Sequence, residues 1–191
     1  MALQGKLYHA QRYITTHDPE TGKAIFDNSI PPAAPFYQLP TEDDGKENAM
    51  FATMFTTEGL PTRLYGDKDE DLQTYNKYLK DPPGVIIGNG TVLRYVDMPP
   101  GALSPMHRTI SLDYGVVIEG EVALVLDSGE ERVMKRGDVS IQRATNHAWR
   151  NMSKTNWARM LYILQPVQPV EVAGQKLGEE YGGMKGVRAS T

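Results

Sequence analysis

The sequence predicts an all-β chain folded as an antiparallel sandwich or barrel, and three features carry that expectation. From Val85 onward, short runs rich in Val, Ile, Leu and Tyr alternate with Gly, Pro, Asn and Asp turns. Only one segment shows a helical hydrophobic period. The 191 residues suit one domain with a sizeable core and room for an arm around it.

The elements follow in order. "KLYHAQRYIT" and "KAIF" flank "THDPETG", where Pro19 and Gly22 supply turn chemistry, so a hairpin is expected near the start. Residues 31–48, with four prolines and a polar run, read as an extended arm. "AMFATMFTT" reads as a strand. "DKDEDLQTYNKYLKDPP" reads as the helix: Leu72, Tyr75, Tyr78 and Leu79 share a face, acidic residues fill the first turn, and Pro82 and Pro83 end it. Asn89-Gly90 stands between two β-rich runs in "GVIIGNGTVLRYVDM", and Asp127-Ser128-Gly129 between two more in "EVALVLDSGEERVMK". "VSIQ" and "NWARMLYILQPV" complete the series. The division expected is 1–84 for arm, strands and helix, 85–168 for the barrel, and 169–191 for a loosely held Gly-rich tail.

Composition narrows the function. Twenty basic and 24 acidic residues give a net charge of −4, and no Lys/Arg cluster is long enough to track phosphates, which argues against nucleic acid. The absence of cysteine excludes disulfides, thiolate nucleophiles and zinc-thiolate sites. The opening residues carry no apolar signal region, and no segment reaches the roughly 18 apolar residues of a membrane helix. A soluble, cytoplasmic protein with no membrane partner is therefore expected.

"SPMHRTISLDYGVVIEGEVALVL" raises the functional question, because His107 and Asp113 precede its most apolar part and burying either unpartnered costs several kcal/mol, about 2–7 for a polar group. On a strand, residues 107 and 109 share a face, and a curled barrel brings His147 from a later strand beside them.

"GALSPMHRTISLDYGVVIEG" resembles the first motif of the cupin superfamily, with Gly101, His107, Thr109, Asp113 and Gly120 in the matching places. Sixteen residues on, "GDVSIQRATNHAWRN" resembles the second, through Gly137, Asp138, His147 and Asn151. The fit covers residues 85–168 and is similar to single-domain cupins of bacteria and of fungal polyketide clusters. Thr109 stands where the family usually has a second histidine, and Asp113 where it has glutamate. The usual Pro-x-Gly of the second motif is absent, and the run to His147 is one residue short.

The resemblance implies a double-stranded β-helix, or jelly-roll barrel, with an N-terminal arm and one or two short helices. It also implies one divalent metal (Fe, Zn, Mn, Ni or Co) held by His107, Asp113 and His147, a small-molecule substrate and a homodimer. Two imidazoles and a carboxylate with open positions form a facial triad. Asp113 and Thr109 are the expected catalytic residues, Thr109 holding a water or orienting Asp113. Trp149, Arg143 and Tyr162 are the expected substrate contacts: Trp149 shares parity with His147, and Arg143 suits a substrate carboxylate. Each has a plainer alternative. The histidines could be satisfied by backbone carbonyls, Asp113 could take hydrogen bonds at a strand turn, Trp149 could be core and Arg143 surface.

Three function classes follow: a metal-assisted lyase or isomerase acting on a polyketide-like or aromatic substrate, an Fe(II) oxygenase or oxidoreductase, and a non-catalytic binder. The missing second histidine leaves fewer donors to tune a redox iron, which favours the first.

Overall fold

The computed structural model describes residues 4–40, 48–64 and 69–190. Strands β1 (Ile14–His17) and β2 (Ala24–Asp27) form the expected hairpin. Its turn is tied by Asp18, whose Oδ1 accepts hydrogen bonds from the backbone N–H groups of Glu20 and Thr21. Beyond it the chain lays β3 (Tyr37–Gln38) along the edge of β4 (Met50–Glu58). Residues 41–47 of the proline-rich arm lie outside the described residues.

Helix α1 (Glu70–Lys80) carries Glu70 and Asp71 in its first turn and Lys77 and Lys80 in its last, complementing its dipole. It buries Leu72, Tyr75 and Tyr78, with Tyr75 stacked on Phe55 of β4 at 4.8 Å and its hydroxyl donating to the Thr53 carbonyl at 2.8 Å. Among the described residues no helix is long and apolar enough to cross a membrane.

The remaining strands are β5 (Gly90–Met98), β6 (Ser111–Glu119), β7 (Glu121–Leu126), β8 (Glu131–Lys135), β9 (Val139–Arg143), β10 (His147–Asn151), β11 (Ala158–Pro166), β12 (Glu171–Val172) and β13 (Gln175–Lys176). One sequence expectation changes here. Among the described residues Val85–Ile87 pairs with no strand, so Asn89 precedes a strand rather than joining two; Ile86 and Ile87 are instead buried in the main core. Gly90 is required because a Cβ there would lie 1.8 Å from the Thr57 carbonyl oxygen of β4.

Two sheets face each other: a six-stranded sheet ordered β3-β4-β5-β11-β6-β9 and a three-stranded one ordered β10-β7-β8. Val92, Val117 and Met160 of the first meet Val122, Met134 and Trp149 of the second in one core cluster. This is the all-β jelly-roll that the motifs imply, with one short helix among the described residues where one or two were expected.

Alternation then sorts each strand. On β5, Val92, Arg94, Val96 and Met98 face the interior, while Leu93 and Tyr95 pack outward against Ala10, Ala34 and Phe36 of the arm. Under that arm lies a buried ion pair. Arg159 of β11 donates from Nε and Nη2 to both carboxylate oxygens of Asp97 at 2.6 Å, and from Nη1 to the Tyr8 carbonyl at 2.6 Å.

The C-terminal stretch is fastened rather than loose. Arg108 and Glu180 exchange backbone hydrogen bonds of 2.6 and 2.9 Å, and their side chains pair at 3.1 Å. Gly182, at φ 56°, passes so close that a Cβ would lie 2.1 Å from the Met106 carbonyl oxygen. The sequence shows only glycines there; their use is to let the strap cross a loop that its own composition does not reveal.

Candidate active site

Between the sheets is a cavity of about 710 Å³. Its walls come from inward positions of β5, β6, β10 and β11, and Leu39 and Pro40 of the arm and Met184 and Val187 of the strap also line it. His107, Thr109, Asp113, His147, Trp149 and Tyr162 all line it. Reading the two motifs thus brings together all but one of the expected site residues.

Arg143 is the exception. On β9, Ser140 and Gln142 turn inward while Val139, Ile141 and Arg143 are exposed, so alternation puts the guanidinium outside the cavity. The carboxylate-binding role expected of it is withdrawn.

His107 and His147 meet through the backbone. Each donates its N–H to the other's carbonyl, at 2.8 and 2.9 Å, and their ring centroids lie 4.4 Å apart. Nδ1 of His107 contacts the Pro105 carbonyl oxygen at 2.9 Å, and Nδ1 of His147 the Thr145 carbonyl oxygen at 2.9 Å. A carbonyl only accepts, so the proton is on Nδ1 and Nε2 carries a free lone pair in each neutral ring. Burial and the neighbouring His107 bring the His147 pKa down to about 4. Burial lowers His107 as well, against its hydrogen bond to Pro105. Both rings are neutral near pH 7. Trp149 stands edge-on to His147 at 5.6 Å and to Tyr162 at 5.7 Å, continuing an aromatic wall.

Asp113 sits on β6 between β9 and β11, opposite Gln142 and Leu164. It is 5% exposed, and its Oδ1 has no hydrogen-bond partner. Burial pushes its carboxyl up to about 6, held back by the hydroxyls of Ser111 and Thr109 and by the Arg94 charge. Thr109 and Ser111 also hydrogen-bond each other at 2.5 Å. Thr109 and Ser111 thus both present hydroxyls to the carboxylate. Tyr162, whose hydroxyl burial and then the Asp113 charge hold well above its ordinary pKa, stays neutral beside it.

The motifs imply a three-ligand metal set, and the side chains do not assemble one. His107 and His147 offer two Nε2 donors, but among the described residues no three His, Cys, Asp or Glu side chains come together as a group able to hold an ion. Asp113 lies on β6 six positions beyond His107, which sits in an isolated bridge outside the named strands, and its side chain is one methylene shorter than the usual glutamate. Its neighbours are hydroxyls, Arg94 and Tyr162. The residues do not fit an ion held by three protein ligands.

Arg94 is the site residue that sequence reasoning missed. It is 4% exposed on the inner face of β5 and lines the cavity. The signal was parity: Arg94 alternates in step with Val92, Val96 and Met98, the strand's core side.

Comparison with known proteins agrees with this architecture. The family model described as "Cupin domain" matches residues 94–164. The phomopsin biosynthesis cluster protein D of Diaporthe leptostromiformis is 46% identical over 167 residues, covering 87% of this chain and 84% of that protein. The oryzines biosynthesis cluster protein J of Aspergillus oryzae is 44% identical over 174 residues, covering 91% and 92%. The cupin-domain-containing oxidoreductase virC of Hypocrea virens is 39% identical over 168 residues, covering 84% and 78%. With its two-sheet barrel, its paired motif histidines and relatives of this identity over most of their length, the chain belongs to the cupin family.

Proposed function

We propose that the cavity is the active site of a tailoring enzyme that moves a proton on a small organic molecule, in a lyase or isomerase reaction, with Asp113 as the acid–base group. One observation carries this reading: the Asp113 carboxylate is buried in the cavity wall with Oδ1 unpartnered, an arrangement that costs stability unless a ligand uses it. A carboxyl near pKa 6 is balanced between holding and releasing a proton at neutral pH.

The neighbouring groups have roles consistent with that. Thr109 and Ser111 hold the carboxylate's rotamer. Trp149 and Tyr162 offer an apolar, aromatic surface to a planar or polyketide-like substrate. The Nε2 lone pairs of His107 and His147 accept a hydrogen bond from a substrate hydroxyl. The strap adds Met184 and Val187 to the cavity's apolar lining. Because the two histidines lack a third protein ligand, no step is routed through a metal. Redox chemistry is the second reading, favoured by the oxidoreductase name of the Hypocrea virens relative.

The test replaces Asp113 with Asn in a host that makes the substrate. Turnover is expected to fall by about 100-fold, the usual size of a lost acid–base group, with the circular dichroism spectrum unchanged. Wild-type turnover in that variant would remove Asp113 from the chemistry. The mass change from substrate to product separates the readings: none, or loss of water or carbon dioxide, supports proton transfer, whereas loss of hydrogen or gain of oxygen supports redox chemistry.

A further inference from the structure

We propose that the substrate is an organic acid, and that Arg94 holds its carboxylate while a hydroxyl or acidic C–H on the neighbouring carbon is presented to Asp113. This rests on the reading of the cavity as the reaction site and adds the class of molecule it takes.

The guanidinium of Arg94 is only partly satisfied. Nη2 donates to the Gly84 carbonyl at 3.0 Å, and its face lies 5.2 Å over the Phe51 ring. Nε is buried with no hydrogen-bond partner. A buried guanidinium keeps its charge, so an unmet N–H on it is costlier than one on a neutral group. The groups near enough to act on that charge are Tyr37 of the arm, Tyr181 of the strap and Asp113.

Asp113 does not close the gap, since its own Oδ1 is also unpartnered. The cavity thus holds one cationic donor and one anionic acceptor, both buried, both incomplete, and not bonded to each other. A neutral ligand can hydrogen-bond to both but brings the guanidinium no counter-ion. A simple carboxylate satisfies Arg94 but leaves Asp113 facing like charge. A molecule with a carboxylate at one end and a proton-bearing group next to it satisfies both, and it places the proton to be moved at the base. The aromatic wall of Trp149 and Tyr162 accommodates the remainder.

Mandelate, an aromatic 2-hydroxy acid, and mandelamide, its uncharged analogue, are suitable probes, with binding followed by calorimetry on the full chain. Mandelate is expected to bind the wild type at least tenfold more tightly than mandelamide. Arg94→Gln is expected to remove that preference, weakening mandelate at least tenfold and leaving mandelamide unchanged, and Arg94→Lys to fall between. Equal binding of the two probes to the wild type would overturn the proposal without recourse to any variant, as would full mandelate affinity in a folded Arg94→Gln protein. Asp113→Asn removes a neighbouring negative charge and is expected to bind mandelate at least as tightly as the wild type. Failure of the anion site therefore shows in the mandelate preference, and failure of the proton-transfer reading shows in retained turnover of the Asn variant.

Discussion

Arg159→Met is expected to lower the free energy of unfolding by about 3–5 kcal/mol, because it leaves the Asp97 carboxylate buried without its counter-ion. Asp97 is 0% exposed and Arg159 5%, so no water replaces the lost bonds. At about 2–4 °C per kcal/mol for a chain of this size, Tm falls by roughly 6–20 °C. The loss has a second part: Arg159 also ties the Tyr8 carbonyl, so the arm covering β4, β5 and β11 loses an anchor. Pairing the change with Asp97→Leu is expected to recover more than half of the loss, since an apolar pair of similar volume in place of a buried ion pair is often neutral. Urea titrations of the two single variants and the double variant decide it. A single variant within about 1 kcal/mol of wild type, the range of an exposed pair, would show that this pair is solvated.

Asp113→Asn and His147→Gln are expected to change the pH dependence of stability in opposite directions. Asp113 has a folded pKa of about 6, above its unfolded value of about 4. The native state then binds the extra proton, so this group's contribution is greatest below pH 4 and is lost as pH rises to about 6. His147 has a folded pKa of about 4, below its unfolded value of about 6.5. Its contribution is present above pH 6.5 and is lost as pH falls toward 4. At about 1.4 kcal/mol per unit, each amounts to about 3 kcal/mol across almost the same window. In the wild type they nearly cancel. Relative to wild type, Asp113→Asn should therefore gain about 3 kcal/mol between pH 4 and 6, and His147→Gln should lose about as much between pH 4 and 6.5. Denaturant titrations at four or five pH values measure both. Parallel profiles for all three proteins would mean that neither group is buried as described.

What could be read from the sequence follows from how local its physical cause is. The turn through Pro19 and Gly22, the Asp127-Ser128-Gly129 hairpin and the amphipathic helix are set by neighbouring residues, and all three are found where expected. Pairing of His107 with His147 was legible because two motifs with a fixed intervening length imply one barrel geometry. The failures are non-local. Arg143 depended on which face of β9 turned inward, and a shift of one residue reverses that. Asp113's separation from the histidines depended on where β6 begins, four residues after His107. Arg94 carries no motif signature, and its place in the cavity follows only from its alternation with Val92, Val96 and Met98. The strap was hidden because Gly-rich composition reads as slack, whereas Gly182 is there to pass Met106.

The reading of the cavity stands on a carboxylate buried beside Arg94 with one oxygen awaiting a ligand. Carbon-13 NMR titration of the Asp113 side-chain carboxyl measures that state directly. A midpoint near pH 6 in the ligand-free protein, rising further in Thr109→Ala or Ser111→Ala, is the result expected. A midpoint at or below the ordinary aspartate value of about 4 would contradict it, because a carboxyl that ionises so easily is solvated or fully paired and has no proton to manage at neutral pH.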